Sequence, residues 1–443
     1  MSSLVTKSLP YLVSPSEPTP SGTLEVTAMD AALASLPMAG LFMFDRPIDQ
    51  AAETIRRALA RALVPYYPIA GRLASTSPSG LAISCTGQGV AFVAATASCT
   101  LHDARLTDPR PPMPVEELTV TYAGGQYTNK GPAGRPLLLM QVTKFSCGGF
   151  VVGVTWDHVI ADGIGMAQFL QIVGELARGV SSSPSVVPVR QDNRLPDLPL
   201  PIVFIANSFV SNAHNDNEFP RTYITLPMSY INRIKSEFHH RHRSSSHQGE
   251  EDEAITCSAF EVFAAALWKC RARATIVSAA DHQQEDSSVV ALAFAANVRK
   301  QADAKDGYYG NLFTFGLAVA TRREVADGDI LDLVKMVKDA KARLRHTFMD
   351  GAAYVAGEMQ GVSPYDTFCV TSWWNLGFDD VDFGSGGPAR VMANMERRVV
   401  PMCILCGSNR DRVVDGGVAA VAMCVREEHK EAFHAELQRL HHQ

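Results

Sequence analysis

Long apolar runs are missing from this chain. None approaches the roughly 18–20 residues that a membrane span needs, so a transmembrane protein is not expected. The beginning also lacks a secretory apolar region. Lys7 is followed by Pro10, Ser14, Pro15 and Glu17, and export is not expected. An excess of positive charge is missing too. Forty Lys+Arg against 46 Asp+Glu leave a net charge of −6. That balance speaks against a general nucleic-acid binder, though not against a local basic pocket for one anionic ligand. No phosphate-loop motif and no dinucleotide fingerprint stands between a strand and a helix, so nucleotide chemistry has no support. Zinc-site spacing is absent: Cys403 and Cys406 form a C-x-x-C, but no second pair accompanies them. The nine cysteines are odd in number and sit mostly inside apolar runs. Buried reduced thiols fit this better than a disulfide framework, and a cytoplasmic protein is expected. No fixed-period repeat is visible, which sets solenoids and propellers aside.

What is present is a large globular composition. Of the 443 residues, 46% are hydrophobic and 19% charged, as in folded rather than disordered chains. Two stretches break the texture. Residues 180–219 are rich in Ser, Pro and Asn and read as a crossover between two domains. Residues 239–253, HHRHRSSSHQGEEDE, are wholly polar and read as an exposed loop tip, its histidines solvated rather than metal-bound. The expected organisation is therefore an N-terminal domain over 1–180, a linker over 181–222 and a C-terminal domain over 223–443.

Helical and strand signals alternate through both halves. Residues 49–63 place Ala51, Ile55, Leu59 and Ala62 on one face, with Asp49 as the expected N-cap. Ser258 and Glu261 make a capping box ahead of an apolar stretch reaching Trp268. Ile330, Leu333, Val334, Val337 and Leu344 follow Asp329 at helical spacing, and Phe433, Leu437 and Leu440 repeat the pattern near the end. Strands are expected over 137–145, 149–156, 289–297 and 417–425. Continuous apolar strands interleaved with helices predict sheets covered by helices, an α/β or α+β architecture.

The segment GFVVGVTWDHVIADGIGMAQFLQIVGEL, residues 149–176, is the most informative. A strand runs to Trp156, a polar cluster of Asp157, His158, Asp162 and Gly163 follows, and an amphipathic helix begins. His158 thus stands at a strand end and a helix mouth, where a rigid scaffold can hold it against a cavity. An imidazole, with an ordinary pKa of about 6.5, suits general-base work near neutral pH. Asp162 could orient the ring or the backbone around it, and Gly163 permits close approach of chain or ligand. On spacing alone, a His and an Asp four apart at such a junction more often form a structural cap than a catalytic pair.

Other segments change that balance. The chain resembles the plant BAHD acyltransferases, which use acyl-CoA donors, over essentially its whole length. His158, Asp162 and Gly163 match the family's HxxxD(G). Val381-Asp382-Phe383-Gly384-Ser385-Gly386 matches its DFGWG some 220 residues on. Tyr66-Tyr67-Pro68-Ile69-Ala70-Gly71-Arg72, Asn297-Val298-Arg299, Tyr309-Gly310-Asn311 and Thr371-Ser372-Trp373 match in order between and around them. Two positions depart from the pattern: Ser385 replaces the usual Trp, and Asp157 precedes the histidine where Asn is common.

The resemblance implies two similarly built domains, each a mixed sheet covered by helices, with a channel between them, as in chloramphenicol acetyltransferase. It implies a monomer with no bound cofactor or metal, acyl-CoA as co-substrate and no obligate protein partner. His158 would be the general base. Asp162 would pair with Arg299 to hold the loop, and Asp382, Phe383 and Gly384 would support the scaffold at a distance. The indole N–H of Trp373 would stabilise the developing oxyanion, with Thr371 lining the same site. The donor is expected to be an aromatic acyl-CoA, hydroxycinnamoyl or benzoyl. The acceptor is expected to be an amine, with an alcohol as the alternative. An alkyl ammonium must lose its proton before it attacks, so an amine-selective site should offer an acidic or aromatic group. A non-catalytic binding relative and a thioester hydrolase remain as further alternatives.

Overall fold

The computed structural model describes residues 4–441 except 77–79, 107–112, 123–133, 181–183, 196–218, 244–255, 277–287, 348–358, 360–361, 395–400 and 407–416. The first half opens with strands β1 (Val5–Lys7), β2 (Tyr11–Val13) and β3 (Thr23–Glu25), helix α1 (Ala28–Ala32), β4 (Pro37–Phe44) and α2 (Ala51–Ala62). It continues with β5 (Arg72–Thr76), β6 (Gly80–Ser84), β7 (Val90–Ala97), α3 (Leu101–Ala104), β8 (Leu138–Lys144), β9 (Phe150–Asp157) and α4 (Gly163–Arg178). The second half starts with β10 (Thr222–Pro227), α5 (Met228–Arg243), α6 (Ala259–Ala274), β11 (Val289–Asn297) and β12 (Phe313–Thr321). Helices α7 (Arg322–Asp327) and α8 (Ile330–Thr347), strands β13 (Thr367–Ser372), β14 (Arg390–Ala393), β15 (Met402–Leu405) and β16 (Gly417–Met423), and α9 (Lys430–His441) complete it.

Two large mixed sheets carry the fold. The first runs β1-β7-β8-β9-β4-β14, with β2 also on β7, and the second β10-β16-β15-β13-β11-β12. A small third sheet, β3-β6-β5, stands beside them. This is the mixed, helix-covered architecture expected from the alternating signals. The apolar strands explain it: β9 is buried along its whole length and β4 at all but one position, so each must be covered on both faces. Helices α2 and α4 pack together over the first sheet, while α5, α6, α8 and α9 enclose one face of the second. Residues from β15 and β16, Ile404, Val421 and Met423, turn their other face into the first core. The two sheets are thus joined by apolar contact.

Chain order and layer do not coincide. β14 comes from the second half yet pairs antiparallel with β4, Arg390 opposite Met43 and Ala393 opposite Gly40. Most of the expected linker lies outside the described residues. Two local expectations are corrected. Helix α2 begins at Ala51 with Gln50, in a left-handed conformation, as its N-cap; Asp49 contributes only its carbonyl, which accepts from the Thr54 hydroxyl. Residues 239–243 are the last turns of α5 rather than loop, and Arg241 there pairs with Asp329 and Asp332 across to α8. The rest of that stretch, 244–253, lies outside the described residues.

Candidate active site

β9 carries the chain to His158, and the loop after it is held at every step. The His158 N–H donates to the Leu36 carbonyl at 2.9 Å. The Trp156 indole N–H donates to the Ala161 carbonyl at 3.1 Å, closing the loop back on its own strand. Asp162 then caps α4, its Oδ1 accepting the Gly165 N–H at 3.0 Å. A cap of this kind satisfies one orphan donor of the helix and is worth about 1 kcal/mol. Gly165 is needed here. A Cβ on it would lie 1.9 Å from the Tyr309 carbonyl oxygen, so only glycine lets α4 start against that loop.

Asp162 does no work in the cavity. Arg299 grips it with two bonds of 2.8 Å, Nη1 to Oδ2 and Nη2 to Oδ1, and the Leu312 N–H adds a third partner at 3.1 Å. Arg299 in turn donates to the carbonyls of Tyr308 and Gly310. The bidentate pair therefore ties the loop of the first half to the 308–312 segment of the second. Planar fork-to-carboxylate geometry is the arrangement in which such a pair is most specific.

His158 sits in the wall of a cavity between the sheets, about 1090 Å³ counted to its open mouth. Met38 and Trp156 line it from the first sheet, Phe313 and Phe315 from β12, and Cys369, Thr371 and Ser372 from β13. The strand alternation explains Cys369 and Thr371, which face the cavity while Phe368 and Val370 face the helices; Ser372, at the strand's end, borders the cavity as well. Trp373 continues on the cavity side, its ring 5.1 Å from Phe378 and 6.2 Å from Trp156. Trp374 goes the other way and donates its indole N–H to the Cys406 carbonyl at 2.9 Å.

The electrostatics are spare. Burial lowers the His158 pKa below its ordinary 6.5, opposed by its own carbonyl and by the charge of Asp162, so the ring is an unprotonated base at neutral pH. Asp157 is fully buried and does not line the cavity, and its charge adds only the smallest of the effects that raise the His158 pKa. It accepts from the backbone N–H groups of Ser35 and Val159 and pairs with Arg135 at 2.8 Å. Burial lifts its carboxyl pKa, opposed by Arg135. Burial likewise pushes the Cys369 thiol up to about 12, making it an apolar wall rather than a nucleophile. Among the described residues no group of three or more His, Cys, Asp or Glu is placed to hold a metal.

The structure therefore gathers His158, Asp162, Gly163, Thr371 and Trp373 around one cavity, with Arg299 behind Asp162. Asp382, Phe383 and Gly384 lie apart from it. Asp382 accepts the N–H groups of Gly384 and Gly386 and pairs with Arg178 of α4 at 3.4 Å, and Phe383 packs edge-on against Phe44. Gly384, at φ +119, makes the turn that permits this. The Ser385 hydroxyl is buried there without a hydrogen-bond partner.

A family model described as the Transferase family matches residues 3–440. A rice protein named Acyl transferase 15 is 38% identical, with 99% of both chains covered. The chain belongs to the BAHD acyltransferases. It is an acyltransferase of the kind that takes acyl-CoA as co-substrate, with no metal or further cofactor indicated. Benzyl alcohol O-benzoyltransferase of Petunia hybrida is 32% identical over 86% of this chain and 82% of its own. Among solved structures, vinorine synthase superposes with a TM-score of 0.73 at 20% identity, covering 98% of each chain. That likeness extends over the whole two-domain fold. Asp30 and Arg190, which stand behind the loop of this BAHD member, were not legible as site residues in the sequence; the signal was a lone carboxylate inside an apolar helix.

Proposed function

We propose that this chain transfers an aromatic acyl group, benzoyl or hydroxycinnamoyl, from CoA to the hydroxyl of a neutral small molecule, giving an ester and free CoA. The observation that carries the reading is the cavity wall. Among the described residues Asp162 is the one carboxylate lining it, and both its oxygens are taken by Arg299 and backbone donors. An alkyl ammonium entering there would give up water without gaining a counter-charge, at a cost of several kcal/mol. A neutral alcohol meets no such cost, and methionine and aromatic side chains suit an apolar acceptor and a flat acyl group. The Petunia relative's name pairs an alcohol with a benzoyl group in the same way. The amine acceptor expected from the sequence finds aromatic walls here, but no acidic partner among the described lining residues.

In this reading the His158 Nε2 takes the hydroxyl proton as the acceptor oxygen attacks the thioester carbonyl. The C–O bond forms and a tetrahedral oxyanion results. The C–S bond then breaks, CoA thiolate departs, and the imidazolium returns the proton to it. Trp373, which lines the cavity, would offer its indole N–H to the oxyanion, a contribution of about 2.7–4 kcal/mol for a donor aimed at developing charge. Thr371 lines the same cavity. Asp162, Gly163 and Arg299 serve the loop, and Asp382, Phe383 and Gly384 the scaffold.

Free-thiol release from benzoyl-, p-coumaroyl- and acetyl-CoA tests the proposal, each donor with no acceptor, with a panel of alcohols and with a panel of amines. Release that requires an aromatic alcohol is expected. A response to amines alone would overturn the ester reading, and release without an acceptor would make the protein a thioesterase.

A further inference from the structure

Behind His158, on the side away from the cavity, a charged group is buried completely. Asp30, on α1, has no exposure, and four donors converge on it. They are the Thr27 N–H at 3.1 Å, Arg190 Nη2 at 2.9 Å, the Asn311 N–H at 3.2 Å and Asn311 Nδ2 at 2.8 Å. Two of these donors also reach the loop after β9. Asn311 Nδ2 also bonds the His158 carbonyl at 2.7 Å, and Arg190 Nη2 the Val159 carbonyl at 3.1 Å.

This settles which way the Asn311 amide faces. Its two acceptor neighbours, Asp30 Oδ1 and the His158 carbonyl, can be met only by the NH₂ group. The amide oxygen is left over: Asn311 Oδ1 is buried without a hydrogen-bond partner. So is one other atom of the pair, His158 Nδ1. Buried polar atoms without partners are uncommon. Here a spare acceptor and a ring nitrogen able to donate belong to two residues already bonded to each other.

We propose that Asn311 orients the His158 imidazole: its Oδ1 accepts the Nδ1–H, which leaves the Nε2 lone pair toward the cavity, while Asp30 and Arg190 hold the amide in place. The proposal rests on the reading of His158 as the base. Asp162, the carboxylate that the motif spacing would nominate for this role, is fully engaged elsewhere. The other acceptor close to Nδ1 is His158's own carbonyl, which already accepts Asn311 Nδ2 at 2.7 Å and competes for the ring proton with its second lone pair. The proton affinity of the ring carries the same mark. Burial lowers it, and the ring's own carbonyl, the Asp162 charge and then the Asn311 side chain oppose that fall. A neutral amide is the suitable orienting group here. It fixes the tautomer as a carboxylate would, yet stabilises the imidazolium less, so the ring stays unprotonated near neutral pH.

Two measurements test this positioning role. In the wild-type protein labelled with ¹⁵N-histidine, long-range proton–nitrogen spectra report the tautomer of each ring, and His158→Gln identifies the resonance by its loss. An Nδ1–H tautomer above pH 7 is expected; an Nε2–H tautomer overturns the proposal whether or not any variant folds. In Asn311→Leu, similar in size but without either amide group, kcat should fall roughly 10²-fold. Both KM values should stay within about twofold, and the acid limb of kcat/KM should move to lower pH, because an acceptor that raised proton affinity is gone. Wild-type kcat with a coincident pH profile would overturn the orienting role. His158→Ala separates the two claims. If it abolishes turnover while Asn311→Leu does not, only this inference fails; if it leaves turnover intact, the assignment of the base fails with it.

Discussion

Replacing Arg299 by alanine removes five hydrogen bonds at once, two to the Asp162 carboxylate at 2.8 Å, one each to the carbonyls of Gly310 and Tyr308, and a longer one to Asn297 Oδ1 at 3.4 Å. The pair is mostly buried, with side-chain exposures of 14% and 8%. Removing one partner of a buried pair costs about 3–5 kcal/mol, because the other charge stays behind unpaired. Asp162 keeps the N–H groups of Gly165 and Leu312, which places the expected loss near 3 kcal/mol at the lower end. Against a total stability of about 5–15 kcal/mol, that is a large fraction, but it leaves a folded population to assay. Urea unfolding followed by tryptophan fluorescence reads the loss. Turnover of the folded protein should drop as well, by about 10²-fold, since a displacement of about 1 Å at His158 suffices for that. Asp162→Asn keeps the helix cap and should cost less, about 1–3 kcal/mol. Either variant, inactive yet as resistant to urea as the wild type, would refute the reasoning, because the pair would then be acting on substrate rather than on the loop.

His158→Ala should lower turnover by about 10²–10⁴-fold with the fold intact, measured as acceptor-dependent thiol release. In the wild type, burial depresses the imidazole pKa, so the neutral base persists below pH 6.5 and the acid limb of kcat/KM should lie under that value; a limb above it contradicts the assignment. Trp373→Phe keeps the packing against Phe378 but deletes the N–H, and kcat should fall about 10²–10³-fold, whereas an unchanged kcat reduces Trp373 to a wall. Gly165→Ala sets a Cβ 1.9 Å from the Tyr309 carbonyl and should destabilise by about 1–3 kcal/mol or more, seen as a lower unfolding midpoint. Ser385→Ala removes a buried hydroxyl that has no partner, and its midpoint should be equal to the wild type or slightly higher.

Much of the scaffold could be read from residue order because its periodicities are local. β11 spans the expected 289–297, and the Ser258–Glu261 box opens α6 with both reciprocal bonds formed. Asp49 misled because a residue of cap type stood one place too early and its side chain was not needed. The polar 239–243 looked like loop because its composition hides a helix end whose Arg241 is paired at a distance. The Asp162–Arg299 contact came from family resemblance, not from spacing, since 137 positions separate the two residues. Asp30 and Asn311 are 281 positions apart, and no periodicity links residues that meet only after both sheets have formed. Their trace in the sequence is a carboxylate in the middle of AMDAALASL, which poses the question of what neutralises it. Arg190 answers it from a stretch whose Ser- and Pro-rich composition suggested only a connector.

The β4–β14 pairing sets a timetable for synthesis. Once β9 has left the ribosome, at residue 157, every strand of the first sheet except β14 exists. Its last strand arrives only at residue 393. At about 5–20 residues per second, those 236 residues take roughly 12–47 s. Throughout that interval β4, apolar along nearly its whole length, is an uncovered edge that other nascent chains could join. Yield in a heterologous host should therefore depend on what shields a half-made sheet: lower temperature, chaperone supply, or codon choice that hurries the ribosome from residue 157 to residue 393. Chains truncated before residue 390 should aggregate, because β4 then never gains its partner.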